Sequence, residues 1–346
     1  MSMKLFAKED WTEVLQGLTG SYRVFVPVKE GDYHNFRVLE DGTRPSFDYQ
    51  NSRLSPKFLI HPQSERMFEY SLGGEDAAHV LKEAEKDLPP QLVVGIRPCD
   101  AYAFQLVKRN FDTPEYRDPW WVRRYESTTF VGLGCNEPCA TCFCTSAGTG
   151  PFGRKGLDVL LFDLGDAYLA KGLTEKGEEL LGGMQGGKDA DQDSIKKAES
   201  LTRRAAEQFE SKVPTDRLKE KVVTELFDAP FWEEVAFACI NCGTCTFLCP
   251  TCWCFDIQDE VQPLRQEGDR IRNWDSCMFP LFTLHGSGHN PRADKTARVR
   301  QRFMHKLKYY VDKYGDGIQC VGCGRCIRYC PVNIDIREIA RRMNDF

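Results

Sequence analysis

The sequence predicts an α+β fold, in which an N-terminal mixed α/β domain is followed by a helix-rich domain built around two matched cysteine runs. Short apolar stretches such as "YRVFVPV" and "LVVGI" have the length and β-branched content of strands. Between Val299 and Tyr310, apolar residues recur at helical spacing, and Gly315 then provides a stop. Six of the sixteen cysteines fall between residues 239 and 254. These patterns place most strands early in the chain, and most helices and cysteines late.

The composition excludes several classes of function. Of the 346 residues, 41% are hydrophobic and 28% are charged, and the formal net charge of -5 gives no sign of a nucleic-acid partner. No apolar run reaches the roughly 18 residues that a membrane-spanning helix needs. The N-terminal stretch "MSMKLFAKEDWTEV" becomes charged at once and lacks the apolar core of a signal peptide. We therefore expect a cytoplasmic protein whose thiols stay reduced.

The chain divides into three predicted segments. We expect an α/β domain with a cysteine site over residues 1–182, a mobile loop and linker helix over 183–224, and the domain of the cysteine runs over 225–346. The stretch "LDVLLFDLGDAYLAKGL" predicts a hairpin that turns near Gly165 and Asp166. Residues 183–195 are rich in glycine and charge, which is typical of a boundary or a mobile loop. A polar helix is predicted to follow over about 192–212.

Two copies of one cysteine pattern dominate the C-terminal part. The first run is Cys239, Cys242, Cys245 and Cys249 before Pro250, and the second is Cys320, Cys323, Cys326 and Cys330 before Pro331. The spacing C-x2-C-x2-C-x3-C-P is typical of ferredoxins with two [4Fe–4S] clusters, in which the fourth cysteine of each run ligates the other cluster. We therefore expect cluster one on Cys239, Cys242, Cys245 and Cys330, and cluster two on Cys320, Cys323, Cys326 and Cys249. Zinc is the alternative, because C-x2-C pairs also build tetrahedral zinc sites.

A third set of cysteines lies in the α/β domain. Cys99 and Cys135 each follow a predicted buried strand, and a cysteine-rich loop continues to Cys144. Because the carboxyl ends of parallel strands meet at one edge of a sheet, we expect the group to converge there. We expect a third cluster on Cys99, Cys135, Cys142 and Cys144, which leaves Cys139 spare. The spacing of "CNEPCATC" also fits a radical S-adenosylmethionine cluster, but the roughly 95 residues before the first run leave no room for the large barrel of that class.

Three further cysteines, Cys252, Cys254 and Cys277, belong to neither run. They indicate a possible further metal site, with His285 and His289 as candidate companions. The alternative is that buried cysteines beside a cluster pack as small apolar residues. Neither a G-x-G-x-x-G fingerprint after a strand nor a G-x4-G-K-[ST] loop occurs, so the sequence shows no site of its own for a dinucleotide or ATP.

The chain resembles the iron–sulfur beta subunit of cytoplasmic sulfhydrogenases and the related A subunit of anaerobic sulfite reductase. The resemblance covers about residues 20–340 and rests on "NSRLSPKFLIHPQ", "GIRPCD", "GLGC" with "CFC", "CINCGTCTFLCPTCWCFDIQDE", "RNWDSC" with "GHN", and "CVGCGRCIRYCP". It implies that the N-terminal cysteine positions form a third cluster and that Cys252, Cys254 and Cys277 have a special role. Cys139 and the glycine-rich loop at 183–195 depart from the family pattern.

The resemblance implies a subunit that relays electrons between a flavin-bearing, pyridine-nucleotide-binding partner and a catalytic partner. That catalytic partner could be of the hydrogenase, sulfite reductase or heterodisulfide reductase type. The alternative function is a catalytic subunit, in which the N-terminal cysteine site reduces a small sulfur compound or a disulfide. In the first function the chain is not catalytic alone, and in the second it carries an active site.

Overall fold

The computed structural model describes residues 2–72, 79–209, 212–262, 264 and 266–346. The strands are β1 (Met3–Ala7), β2 (Arg23–Glu30), β3 (Tyr33–Val38), β4 (Ser64–Ser71), β5 (Val80–Glu83), β6 (Gln91–Ile96), β7 (Thr128–Leu133), β8 (Val159–Asp163), β9 (Ala167–Gly172), β10 (Lys188–Asp189), β11 (Phe255–Gln262) and β12 (Glu267–Trp274). The helices are α1 (Trp11–Gln16), α2 (Pro98–Phe111), α3 (Pro119–Ser127), α4 (Glu175–Gly183), α5 (Gln192–Glu207), α6 (Val223–Phe227), α7 (Phe231–Phe237), α8 (Thr244–Phe247), α9 (Lys295–Met304), α10 (Tyr310–Tyr314), α11 (Arg325–Arg328) and α12 (Ile336–Asp345). The predicted α+β class, with mixed α/β structure first and helix-rich structure later, is confirmed.

A large mixed sheet forms the N-terminal part, with the strand order β10-β1-β9-β8-β7-β6-β2-β3. Its four central strands, β2, β6, β7 and β8, are parallel, and the outer strands are antiparallel. Every residue of β6 and β7 is buried, as expected for parallel strands covered on both faces. One face packs under α2 and α3, and the other packs under α1 and α4. The predicted hairpin near Gly165 is present as β8 and β9.

The predicted helix in the insertion between the cysteine runs is also present. Helices α9 and α10 are joined by a single π-helical turn over His305–Tyr309, and the whole ends at Gly315, whose φ is +73°. Val299, Phe303 and Leu307 are buried on its inner face. They pack with α7 and α12 in the C-terminal core. No helix in the described ranges is both long and apolar enough to span a membrane.

The insertion also contains a hairpin that the sequence did not predict. Strands β11 and β12 pair with each other, and β12 pairs with β4, so the hairpin completes a four-stranded antiparallel sheet of order β11-β12-β4-β5. Six of the eight residues of β11 are exposed, and Phe255, Ile257 and Val261 give only an incomplete apolar alternation, so the stretch is a weak strand signal. The C-terminal part of the chain therefore extends a sheet begun in the N-terminal part. The division at residues 183–224, where β10 and α5 lie, stays a prediction.

A buried charge network joins β12 to the N-terminal part. Arg272 Nη2 donates to Glu65 Oε2 at 2.6 Å, and its Nη1 donates to Asp118; Glu65 and Arg272 are almost fully buried. Lys86 and Arg124 contact the other oxygen of Glu65 at 2.9 Å. Burial alone would raise the pKa of Glu65, but these three cations lower it to about 2. The Glu65 charge thus stabilises the fold above about pH 4.5, and that contribution is lost as the pH falls toward 2.

Replacing Arg272 with Leu removes one partner of this buried network. We expect a loss of about 3–5 kcal/mol, because one oxygen of Glu65 and the carboxylate of Asp118 lose their cation. Arg270→Leu is the matched control, since Arg270 lies on the same strand but pairs with Asp259 in the open. The measurement is an anaerobic urea titration followed by far-UV circular dichroism. Equal midpoints for the two variants would contradict this role of Arg272.

Candidate metal centres

The two cysteine runs fold into the same backbone loop. The third residue of each run, Asn241 or Gly322, has a positive φ of 55° or 63°. The fifth residue, Gly243 or Gly324, has a φ of 74° in both. Each loop then enters a one-turn helix, α8 or α11. Left-handed backbone at these positions favours glycine or asparagine, so the residue types explain why the loop can form twice.

Backbone amides within these loops point at cysteine sulfur. The N–H of Asn241 donates to Cys239 Sγ at 3.4 Å, and that of Gly322 donates to Cys320 Sγ at the same distance. The N–H of Ile334 donates to Cys330 Sγ at 3.3 Å. A hydrogen bond to sulfur favours the thiolate, which is the form that ligates iron. The loops therefore have the donor chemistry of iron–sulfur ligands.

The four thiols expected to hold cluster one surround a single cavity. Cys239, Cys242, Cys245 and Cys330 line it, and its empty volume is about 520 Å³ including its mouth. Met278, Val299 and Phe303 form apolar parts of the wall. Cys326, a second cysteine from the second run, lines the same cavity. The structure thus brings the last cysteine of the second run together with the first three of the first run.

The thiols expected to hold cluster two also lie together. Burial raises the pKa of Cys326 well above its usual value, and the thiols of Cys249, Cys320 and Cys323 raise it further while Arg302 opposes them. Burial similarly raises the pKa of Cys320, and the Cys249 thiol raises it further. Cys249 comes from the first run, so it faces the three cysteines of the second. Because burial disfavours the charged form, these thiols would ionise only beside a positive partner such as iron.

The N-terminal cysteines converge on a second cavity, of about 350 Å³ including its mouth. Cys99 lies in the first turn of α2, directly after β6, and Cys135 follows β7, the parallel neighbour of β6. All four predicted residues, Cys99, Cys135, Cys142 and Cys144, line this cavity. Cys139, which the sequence left spare, lines it as well, and so does Cys323 of the second run. The presence of Cys323 carried no signal in the sequence, because 179 residues separate it from Cys144.

The N-terminal cysteine loop packs directly on the second run. The N–H of Phe143 donates to the Gly322 carbonyl at 2.8 Å. A Cβ at Gly322 would lie 2.5 Å from the Phe143 carbonyl carbon, and one at Gly324 would lie 2.4 Å from Thr141 Oγ1. Both glycines are therefore required for close approach as well as for their positive φ.

A buried ion pair fixes the same contact. Arg325 donates to both carboxylate oxygens of Asp100, at 2.6 and 2.7 Å, and each side chain is only 1% exposed. The guanidinium also donates to the carbonyl and hydroxyl of Ser52 and to the Asn51 amide oxygen. Asn51 in turn donates to the Cys323 carbonyl at 3.2 Å. Three stretches on which the family resemblance rests therefore meet in one hydrogen-bond network: "NSRLSPKF", "RPCD" and "CGRC".

A second buried cation borders the N-terminal cavity. Arg97 Nη1 donates to the carbonyls of Leu133 and Gly134, at 3.2 and 2.8 Å, and its guanidinium lies 4.3 Å from the Tyr49 ring centre. Its Nε is buried and has no hydrogen-bond partner in the described residues. Burial lowers the pKa of Arg97, but the neighbouring thiol of Cys135 contributes to a net rise. This cation is therefore placed to offset negative charge if the cysteines beside it ionise.

The remaining cysteines lie among further cations. Cys254 and Cys277 interact, and this hydrogen bonding lowers the pKa of Cys254 to about 6 against the effect of burial. Arg302 Nη1 lies 3.5 Å from Cys252 Sγ. Burial lowers the pKa of Lys57 to about 8, although the nearby Cys252 thiol opposes this.

The two histidines proposed as companions of these cysteines are exposed to solvent. His285 and His289 are in an exposed loop, where the N–H of His285 donates to the His289 carbonyl at 2.9 Å and the rings are 5.4 Å apart. Within the parts of the chain that the structure describes, no three His, Cys, Asp or Glu side chains are placed to hold a single metal ion. Most thiols of the two runs and those of the N-terminal loop instead line the two cavities described above.

Two matched loops, each aiming backbone amides at its cysteines, define an iron–sulfur protein of the two-cluster type. Comparison with known proteins agrees: residues 238–334 match the family model of the 4Fe-4S dicluster domain. The chain is also 30% identical to sulfhydrogenase 2 subunit beta of Pyrococcus furiosus over 319 residues, which is 90% of each chain. It therefore belongs to the family of sulfhydrogenase beta subunits. No solved structure matches it.

Replacing Gly322 with Ala tests the loop geometry. The new Cβ would meet the Phe143 carbonyl group, and the left-handed backbone itself costs about 1–2 kcal/mol. We expect a lower iron content per chain after anaerobic purification. Gly286→Ala is the control, since a Cβ at Gly286 meets nothing within 4 Å. Full iron content in Gly322→Ala would show that the close approach is not needed.

Proposed function

We propose that this chain is an electron-transfer subunit that relays electrons through three [4Fe–4S] clusters within an oxidoreductase complex. The observation that carries the proposal is the adjacency of the three cysteine sites. Cys323 lines the N-terminal cavity, and Cys326, three residues later, lines the cavity of cluster one. The second run therefore stands between the two other sites and shares a wall with each. Such a row of sites suits the passage of single electrons.

The ligand sets follow from which thiols face each site. Cluster one is assigned to Cys239, Cys242, Cys245 and Cys330, cluster two to Cys320, Cys323, Cys326 and Cys249, and the third cluster to Cys99, Cys135, Cys142 and Cys144. The cavity geometry supports the first and third sets, and the mutual influence of the thiols on their pKa values supports the second. When bound, each cluster supplies a centre that accepts and releases one electron.

The protein side chains adjust the charge around these sites. Arg302 lines the cavity of cluster one and also lies beside Cys326, so its charge acts between clusters one and two. Arg97 lines the N-terminal cavity, so its charge acts on the cysteines there. A buried positive charge favours the electron-rich state of a neighbouring centre, because the added negative charge is partly neutralised. We therefore assign these two arginines to tuning the potentials.

The surface around cluster one suits electron exchange with a partner chain. Cys242 is exposed, and the neighbouring Ile240 and Phe237 expose 63% and 84% of their surface. Exposed apolar side chains beside a redox site are typical of an interaction surface. The Pyrococcus furiosus relative is named as a subunit of a sulfhydrogenase. We assign to the present chain a flavin- and pyridine-nucleotide-binding partner and a separate catalytic redox partner, in a cytoplasmic complex.

A second function has one observation in its favour. The N-terminal cavity contains Cys139 as a fifth thiol, besides the free Nε of Arg97. Cys323 also lines the cavity but is assigned to cluster two, so five thiols remain, one more than a four-cysteine cluster uses. On this alternative the site reduces a small sulfur compound or a disulfide. The relay requires that candidate substrates leave the spectra of the reduced chain unchanged. Spectral change at the N-terminal cluster on adding a disulfide would favour the catalytic function.

Replacing Cys249 with Ser tests the exchange of ligands between the runs. We expect the electron paramagnetic resonance signal of cluster two to change or disappear while cluster one persists, because Cys249 faces the cysteines of the second run. Cys330→Ser is the reciprocal control and should affect cluster one. If Cys249→Ser alters the cluster held by its own run and spares the other, the exchange is wrong.

Replacing Cys135 with Ser tests the third cluster. The variant should lose about four iron and four sulfide per chain and keep both ferredoxin-type signals. Cys139→Ser provides the matched control, since Cys139 lines the same cavity but lies outside the proposed set, and it should keep its iron. Iron and acid-labile sulfide are measured on anaerobically purified protein. An unchanged iron content in Cys135→Ser would remove the third cluster from the relay.

A further inference from the structure

We propose that Cys252, Cys254 and Cys277 hold a fourth iron–sulfur cluster, ligated by three cysteines and embedded among three buried cations. This inference rests on the proposed relay, which gives an additional redox centre its purpose. The site lies at the base of the β11–β12 hairpin, next to the cysteines of cluster two. Three cysteines leave one iron to be ligated by a group other than cysteine.

The hairpin brings the three thiols to one place. Cys254 immediately precedes β11, and Cys277 follows β12 by three residues. The pairing of Phe255 with Trp274 joins the open end of the hairpin, and the N–H of Asp275 donates to the Cys254 carbonyl at 3.0 Å. Cys252 lies two residues before Cys254 and interacts with Cys249 of cluster two. Residues distant in sequence thus converge because of strand register.

Three buried cations face this group. Lys57 Nζ donates to the carbonyls of Cys252 and Thr246, at 2.9 and 3.2 Å, and lies 4.2 Å from the Trp274 ring centre. Lys306 Nζ donates to Thr251 Oγ1 at 2.8 Å. Arg302 completes the set with its contact to Cys252 sulfur. All three cations are at most 5% exposed.

These cations lack the usual counter-ions. In the part of the chain that the structure describes, none of Lys57, Arg302 and Lys306 forms an ion pair with a carboxylate. Two nitrogens of Arg302, Nε and Nη2, are buried without a partner there. Burying an uncompensated charge costs several kcal/mol, so the site requires negative charge. Three cysteine thiolates supply it, and a reduced cluster would add more.

The cations indicate how this centre would behave. Arg302 and Lys306 also lie beside Cys249, so they serve cluster two as well. Lys57 comes from the N-terminal part, and its Nζ is held against the Cys252 carbonyl. Because positive charge favours the reduced state, the fourth centre should be reduced more easily than it would be without Lys57. It would store an electron beside cluster two.

The first experiment is the double variant Cys254→Ser, Cys277→Ser in the full-length chain, purified anaerobically. We expect a loss of about four iron and four sulfide per chain, with the signals of clusters one and two retained. Cys139→Ser is again the control for replacing a thiol. Unchanged iron would overturn the proposal, and so would the loss of one bound zinc in place of iron. Retained ferredoxin signals exclude general misfolding as the cause of the loss.

The second experiment uses Lys57→Gln, which keeps all the cysteines. Iron content should stay unchanged, and the signal that the double variant lacks should titrate at a lower potential. If no signal shifts, the assigned role of Lys57 is wrong. Failure here is distinguishable from failure of the relay: Cys135→Ser tests the third cluster and does not touch this site. If iron is lost in Cys135→Ser but not in the double variant, the proposed relay stands and the proposed fourth cluster is wrong.

Discussion

The buried ion pair between Arg325 and Asp100 is the interaction on which the arrangement of redox sites depends. Asp100 follows Cys99 at the start of α2, and Arg325 lies between Cys323 and Cys326. Breaking such a pair by removing one partner costs about 3–5 kcal/mol, because the other charge stays buried. Because Arg325 donates two hydrogen bonds to Asp100, the pair fixes the relative orientation of the two side chains as well as the distance between them. One interaction therefore sets the position of the N-terminal cysteines relative to the second run.

Several further features agree with this constraint. Gly322 and Gly324 let the backbone of the second run approach the loop at Thr141 and Phe143, where any side chain would intrude. Asn51 links the ion pair to the Cys323 carbonyl. The consequence for the proposed relay is that the second cysteine run has fixed neighbours on both sides, the N-terminal cavity and the cavity lined by the first run. In that proposal the cysteines hold the clusters, and the buried arginines and lysines adjust how readily each cluster accepts an electron.

Local patterns were predictable from the sequence because their causes are local. The two runs carry their spacing, their glycines and their prolines within twelve residues each, and the helix before Gly315 shows its apolar stripe directly. The convergence of Cys99 and Cys135 followed from general rules for parallel strands. The exchange of the fourth cysteines between runs is still a prediction.

Other features were not predictable because they depend on contacts between distant segments. Strand β11 is mostly exposed and polar and shows only a weak apolar alternation, and nothing in its sequence names β4 as the strand to which β12 pairs. Lys57 and Lys306 resemble ordinary surface charges until the fold buries them. The place of Cys323 at the N-terminal cavity likewise requires the Arg325–Asp100 contact. In each case the missing information was the identity of a partner far along the chain.

The most direct test of the relay is a freeze-quench experiment on the intact complex, purified anaerobically and mixed with reduced pyridine nucleotide. Electron paramagnetic resonance spectra recorded through one turnover would follow the iron–sulfur signals of this chain, while product is measured in the same samples. We expect these signals to appear before product, and a complex carrying Cys135→Ser to form product far more slowly. Product formed at the unchanged rate without reduction of these clusters would contradict the relay.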